Sequence, residues 1–299
     1  MLRIISRIIL VCLVAATACG FIMVTPADLS IIPGFEGPPP PPELVIPAKP
    51  PRLRCRAAIL IDNQTAQTLY GRNEYSVRPI ASITKLLTAL TFLDFKVDWD
   101  KEIGMTRADA RNSSRSKLRW GDVYKVRYLF CASLLSSDNR ATRALARSTG
   151  ISQDSFTVTM NRKARQLGLL TMRIEEPTGL SEKNVASAID CARLLNVAAA
   201  DTTIKRVMQT HTYDFHSVKR QRKYRLTNTN RLLKSRWFVE GGKTGYIFES
   251  GWCVAVRMTD WHGIDLTAVV LGARSKSSRF TQAARLFQWG FRELREIKG

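Results

Sequence analysis

Ser82-Ile83-Thr84-Lys85 sets a serine and a lysine three residues apart, and Leu86, Leu87, Leu90 and Leu93 follow on one helical face. On a helix, residues i and i+3 are neighbours about one turn apart, so a hydroxyl and an amine at that spacing come within hydrogen-bond reach. A lysine in a desolvated, positively charged pocket loses its proton near neutral pH. It then takes the serine proton and makes a nucleophile without any histidine. The spacing recurs at Ser114-Arg115-Ser116-Lys117, in a polar, basic stretch with no apolar helix behind it. That second copy reads as a solvated loop.

Two other short patterns carry chemistry. Ser137-Asp138-Asn139 follows an apolar run ending at Leu134-Leu135. A hydroxyl and an amide at i and i+2 on a loop can point into one cleft, where the serine relays a proton to a leaving amine and the amide holds a substrate carbonyl. Taken alone, the same triplet reads first as a helix cap, since Ser, Asp and Asn all favour that role. Lys243-Thr244-Gly245, between Gly241-Gly242 and Tyr246, suggests a strand edge where a Lys and a Thr bind a carboxylate and the glycine lets a substrate approach the backbone. A turn with an exposed lysine fits that stretch as well. The three histidines, His211, His216 and His262, make no metal-binding spacing, so no metal or cofactor is expected.

These patterns need elements to hold them. Ala57–Ile61 and Thr68–Tyr70 read as a hairpin at the start of the domain. Helices are predicted from Ser82, over about Val123–Leu135, around Phe156, Met160, Ala164 and Leu167, and from Ser187 with Asp190 behind it. After about Thr210 the chain turns β-rich, with buried strands at Trp252–Val256 and Leu266–Leu271 and a closing helix over about Arg279–Glu296. Strands, a helical block, strands and a helix argue for an α+β fold, with the terminal strands joined in one mainly antiparallel sheet flanked by a helical subdomain.

Composition narrows the class. The 299 residues are 45% hydrophobic and 24% charged, which excludes a disordered chain, a collagen or a polytopic membrane protein. Lys+Arg number 46 against 25 Asp+Glu, for a net charge of +21. Residues 1–50 are net neutral, so the whole excess lies beyond them and favours polyanionic partners. Arg3 and Arg7, the apolar run Ile8–Val14 and Ala16-Thr17-Ala18 read as an export signal over residues 1–24, or as an uncleaved membrane anchor, since apolar residues run on to Val24. Ten of the 12 prolines lie from Pro26 to Pro51, so residues 25–51 read as a semi-rigid linker and residues 52–299 as the globular domain. Of the four cysteines in that domain, Cys131 and Cys253 lie in apolar runs and read as buried thiols.

An SxxK, an SxN and a KTG in that order are the set described for penicillin-binding proteins and class A β-lactamases. Arg78-Pro79-Ile80-Ala81-Ser82-Ile83-Thr84-Lys85-Leu86, Glu176-Pro177-Thr178-Gly179-Leu180, Asn228-Thr229-Asn230 and Lys243-Thr244-Gly245-Tyr246 resemble the D-alanyl-D-alanine carboxypeptidase family. Ser137-Asp138-Asn139-Arg140-Ala141 is most similar to its endopeptidase branch.

The resemblance covers about Ala57 to Phe291. It implies a penicillin-binding transpeptidase-like fold and an enzyme that hydrolyses peptidoglycan stem peptides or cross-links in cell-wall remodelling. It makes Ser82 the acylated nucleophile, Lys85 its general base, and Ser137 and Asn139 aids to proton transfer and positioning. Lys243 and Thr244 would bind the terminal carboxylate, beside Gly245, and the N–H groups of Ser82 and Tyr246 would form the oxyanion hole. It implies peptidoglycan as partner, β-lactams as covalent inhibitors, no cofactor and an exported, periplasmic location. Many family members carry a further C-terminal β-domain and anchor helix. This sequence closes after one helix, so any membrane attachment is expected at the N-terminus.

Two rival readings stand beside it. In a class A-like β-lactamase, Glu176 would activate the deacylating water, but that pattern expects an asparagine where Leu180 stands. In a binding protein, Ser217–Arg236 would be the working surface, with eight Lys and Arg residues, no acid and the interleaved Tyr224. An export signal argues against nucleic acid there and leaves anionic wall polymer or a plain solvated face.

Overall fold

The computed structural model describes residues 49–111, 113 and 116–298. The leader and nearly all of the proline-rich linker lie outside the described residues. In chain order the strands are β1 (Ala57–Asp62), β2 (Thr68–Arg72), β3 (Arg78–Pro79), β4 (Glu102–Gly104), β5 (Val123–Lys125), β6 (Val185–Ala186), β7 (Thr212–His216), β8 (Lys223–Thr227), β9 (Phe238–Ile247), β10 (Gly251–Thr259) and β11 (Asp265–Ala273). The helices are α1 (Thr84–Leu93), α2 (Arg107–Ala110), α3 (Val126–Leu135), α4 (Asn139–Ser148), α5 (Gln153–Gln166), α6 (Ala188–Ala200), α7 (Thr202–Gln209) and α8 (Ser278–Lys298).

Period-two alternation explains why one sheet can serve two layers. The main sheet runs β2-β1-β11-β10-β9, every neighbour antiparallel. Ala57, Ile59 and Ile61 of β1 and Val269 and Leu271 of β11 share one core with the helical block. Leu60 and Leu266 point to the other face and meet α8, where a Cβ on Gly290 would stand 2.6 Å from Leu60 Cδ2 and 2.9 Å from Leu266 Cδ1. The buried Phe280, Ala283, Phe287, Phe291 and Leu294 recur at three- and four-residue steps on the inward side of α8. Each fully buried Leu, Ile or Phe adds about 1.5–3 kcal/mol by leaving water. The α+β layering expected from the element order is present, with the hairpin at the start and the long closing helix where the sequence puts them.

Two helix starts differ from expectation. The segment at Ser82 opens as a 3-10 turn, Ala81–Ile83, and becomes α-helical only at Thr84. Thr84 Oγ1 donates to Ala81 O at 2.7 Å and fixes that tighter turn. Val123–Lys125 does not open α3. It pairs with β4, where the buried Tyr124 and Ile103 stand opposite each other as a cross-strand pair. Every α1 residue from Thr84 to Phe92 is buried, as suits a helix at the centre of a domain.

The basic stretch Ser217–Arg236 becomes the turn of the β7–β8 hairpin, β8 itself and a 3-10 turn at Arg231–Lys234. Lys219, Arg220, Arg222 and Lys223 are exposed. Tyr224 is not interleaved on the surface: it is buried, and its hydroxyl lies 2.9 Å from that of Tyr124. A base-stacking face is therefore missing from this hairpin. Cys55, Cys131, Cys191 and Cys253 are free thiols. Cys253 is buried as expected, whereas Cys131 is half-buried. Burial pushes Cys55 and Cys131 up to about 11, which makes them poor nucleophiles. No helix among the described residues is long and apolar enough to cross a membrane.

Candidate active site

Ser82 is held on a constrained backbone. Ala81 before it has φ +49°, a left-handed conformation that costs a non-glycine residue about 1–3 kcal/mol and persists only where neighbours enforce it. The neighbours are two glycine-bearing segments. A Cβ on Gly245 of β9 would stand 2.9 Å from Ile80 O and 3.0 Å from Ser82 N. A Cβ on Gly179 would stand 2.1 Å from Ala81 O, and Gly179 itself has φ +79°. Both segments press on the turn that carries the serine.

One turn on, Lys85 is fully buried, with its Nζ 2.9 Å from Ser82 Oγ and 2.7 Å from Asn139 Oδ1. Nζ also donates to the Thr178 carbonyl. Burial lowers the pKa of Lys85 to about 7, helped by the Arg143 charge and opposed by Glu176 and Asp138. A neutral amine has two N–H donors and one lone pair. The two carbonyl oxygens, of Asn139 and Thr178, occupy the donors, so the lone pair is left facing the Ser82 hydroxyl.

The Ser137-Asp138-Asn139 triplet is both a cap and part of the cleft. Asp138 caps α4, its Oδ1 accepting from Ala141 N at 3.0 Å. Capping by the middle residue frees the outer two. Ser137, at φ +60°, accepts from Lys243 Nζ at 2.8 Å, and Asn139 meets Lys85. Lys243 lies on β9 and is 1% exposed, its Nζ also donating to Thr244 O at 3.0 Å. Burial, with Lys85 and Arg279 nearby, holds its pKa well below the usual lysine range.

β9 is the edge of the main sheet, as Lys243-Thr244-Gly245 suggested. Ile247 N–H turns inward to Ser250 Oγ at 3.1 Å. Alternation along the strand therefore leaves Tyr246 N–H on the open edge, beside the Ser82 turn. Thr244 Oγ1 donates to Thr229 Oγ1 at 2.8 Å, which ties Asn228-Thr229-Asn230 to the site. Ser82, Ser137, Asn139, Thr244, Gly245 and Tyr246 all line one cleft of about 340 Å³, with Lys85 and Lys243 beneath it.

Several residues of the cleft carry no distinct signal in the sequence. Arg279, the second residue of α8, lines it at 3% exposure. Its Nη1 donates to Gly245 O at 3.0 Å and Cys253 O at 3.2 Å, and its guanidinium lies 5.0 Å from the Trp252 ring centroid. No carboxylate pairs with it among the described residues. Burial lowers its pKa to about 10. One arginine among 46 basic residues does not stand out in a sequence.

The second SxxK copy is not simply solvated. Ser116 donates to Asp138 Oδ2 at 2.6 Å, and exposed Lys117 donates to Arg225 O at 3.1 Å, both on the cleft wall. Ser114 and Arg115 lie outside the described residues.

Glu176 accepts from Thr178 N at 2.7 Å, Thr178 Oγ1 at 2.5 Å and Leu180 N at 2.7 Å. Asn184 Oδ1 in turn accepts from Glu175 N at 2.9 Å and Glu176 N at 3.2 Å. The carboxylate is thus an internal staple of the loop that presents Thr178 O to Lys85. Both of its oxygens are engaged within that loop, which leaves it no part in activating a water.

A profile described as D-alanyl-D-alanine carboxypeptidase matches residues 45–275. The chain belongs to this family. The D-alanyl-D-alanine endopeptidase of Pseudomonas aeruginosa is 36% identical over 256 residues, 84% of this chain and 81% of that one. The D-alanyl-D-alanine endopeptidase of Escherichia coli is 31% identical over 81% of this chain and 79% of its own. Among solved structures, the D-alanyl-D-alanine carboxypeptidase of Mycobacterium tuberculosis superposes with a TM-score of 0.74 at 27% identity, covering 82% of this chain and 93% of that one. A Streptomyces DD-transpeptidase superposes at 0.76 and 27% identity, over 82% and 99%. The α+β fold expected from the element order is therefore the fold of the D-alanyl-D-alanine carboxypeptidase family.

Proposed function

We propose that the protein is a serine-type D-alanyl-D-alanine peptidase of the cell wall, an endopeptidase in preference to a carboxypeptidase, working through a Ser82 acyl-enzyme. The observation that carries this reading is the buried Lys85 amine, 2.9 Å from Ser82 Oγ with a pKa lowered to about 7. Lys85 Nζ takes the Ser82 proton as Oγ attacks the carbonyl carbon of the D-alanyl bond. The N–H groups of Ser82 and Tyr246 bind the oxyanion. The C–N bond then breaks, and the proton taken by Lys85 passes to the leaving amine through Ser137, which Lys243 holds, so Lys85 is neutral again. Thr244, Arg279 and Lys243 bind the leaving carboxylate. Water adds to the ester, Lys85 takes its proton and returns it to Ser82 Oγ as the acyl C–O bond breaks, which frees the acid and regenerates Ser82.

The endopeptidase preference rests on the wording Ser137-Asp138-Asn139-Arg140-Ala141 and on the two endopeptidase relatives above. Because Glu176 is occupied within its own loop, the β-lactamase reading has no water-activating carboxylate at that position. The leader-like sequence supports an exported, periplasmic enzyme, attached to the membrane if the leader is retained. Peptidoglycan is then its substrate and β-lactams its covalent inhibitors.

Labelling with a fluorescent penicillin, followed by peptide mapping, tests the mechanism, and digestion of purified cross-linked and uncross-linked muropeptides tests the substrate. We expect label on Ser82, a long-lived adduct, and release of monomers from cross-linked dimers. Label on another serine, rapid multiple turnover of penicillin, or intact muropeptides would each sink the proposal.

A further inference from the structure

The segment 274–279 divides two hollows. Lys276 and Arg279 face the catalytic cleft. Arg274, Ser277 and Ser278 line a separate groove of about 690 Å³, together with Arg285 of α8 and with Arg52 and Arg54 from the entry of the chain. All four arginines of the groove are exposed, and none has an ion pair or a side-chain hydrogen bond among the described residues. The groove has a fixed frame, because Gln282 Nε2 donates to Arg54 O at 2.9 Å and the Arg54 N–H donates back to Gln282 Oε1 at 2.5 Å. This bond pins the entry of the chain against the first turns of α8.

Unpaired cations converging on a concave surface repel one another, and a multivalent anion relieves that repulsion. The position of the groove selects among anions. In the mechanism above Arg279 binds the carboxylate on the leaving side, and Arg279 belongs to the same segment, 274–279, that lines the arginine groove. A carboxypeptidase substrate ends at the carboxylate bound there. A cross-linked substrate does not end: a second stem peptide continues outward, bearing its own free carboxylates.

We infer that the groove of Arg52, Arg54, Arg274 and Arg285 is the subsite for the acidic peptide strand on the leaving side of a cross-link. The inference rests on the peptidase reading above and deepens it. It gives the chain a physical means of preferring cross-linked over uncross-linked substrate, through charges that a terminal D-alanine never reaches.

The test is the variant Arg52→Glu/Arg54→Glu/Arg285→Glu, assayed on a purified cross-linked muropeptide dimer and on an uncross-linked pentapeptide. Exposed charge contacts are individually weak, so three reversals acting together are expected to lower kcat/KM for the dimer by about tenfold, through KM. Pentapeptide cleavage and penicillin acylation of Ser82 are expected to stay within about twofold, because screening confines the effect to roughly 8–10 Å. The neutral variant Arg52→Gln/Arg54→Gln/Arg285→Gln should fall between, and penicillin labelling reports that both variants fold.

Equal losses on dimer and pentapeptide, or no loss on either, overturn the inference. Loss of binding to vesicles of anionic phospholipid with dimer preference intact also overturns it and makes the groove a membrane face. A parent enzyme that cleaves neither muropeptide, or is not acylated at Ser82, instead refutes the peptidase reading.

Discussion

Replacing Lys85 by arginine is expected to slow acylation of Ser82 by about a hundred- to ten-thousandfold, the usual range for loss of a positioned general base. Arginine keeps the positive charge but does not deprotonate in proteins, so it isolates the proton-accepting role from the electrostatic one. The parent enzyme carries the complementary signature. The group that acts is the unprotonated amine, and the pKa of Lys85 is lowered to about 7. About a tenth of the enzyme is then competent at pH 6 and about nine tenths at pH 8, so acylation rises with pH through 7 to a plateau. An ordinary lysine would keep rising to pH 10. Stopped-flow acylation by a chromogenic β-lactam across pH 5–9 checks both points. Acylation by Lys85→Arg within tenfold of the parent, or a flat profile below pH 8, would remove Lys85 from its role.

Gly179→Ala is expected to be nearly as damaging, although no side chain is lost from the cleft. The added Cβ would lie 2.1 Å from Ala81 O and 2.4 Å from Ala81 C, backbone atoms that cannot swing aside. The loop must retreat, and Thr178 O leaves Lys85 with it. Misplacement of about 1 Å costs catalysis about a hundredfold. Gly263→Ala is the control. Gly263 has φ +74°, but nothing lies within 4 Å of its added Cβ, so it should cost roughly 1 kcal/mol of stability and leave acylation alone. Melting temperature and acylation rate measured on both variants separate strain from displacement. Equal acylation rates for the two would show that the loop does not position the amine.

What the sequence disclosed depended on whether a side chain carried the signal. Ser82 and Lys85 were legible because a helical turn is a fixed spacing, and the buried strands because their apolar runs are bounded by turns. Thr178 contributes a backbone carbonyl, which any residue has, so its part could be seen only in three dimensions. Glu176 was visible as a carboxylate, but the spacing could not tell a water activator from a loop staple. Arg279 was lost in the basic background, since what sets it apart is burial without an acid. The 3-10 turn at Ala81 was hidden for a similar reason: alanine favours regular helix, and tertiary pressure from Gly179 and Gly245 overrides that preference.

The pairing of β1 with β11 has a consequence for when the enzyme can first act. Ala57 lies opposite Leu271, so the first strand of the domain waits for a partner about 200 residues downstream, and contacts so distant form late. Within the sheet the edge strand β9 is joined to β10 alone, and β10 in turn pairs with β11. A chain still emerging from the ribosome or a translocation channel therefore holds the nucleophile and the lysine but lacks the sheet that brings β9 against them. A version ending at residue 260 should take no penicillin label, and labelling of it would refute this order of assembly. The hydrolase would then be silent in transit, and its hydrolytic power would appear only with completion of the fold.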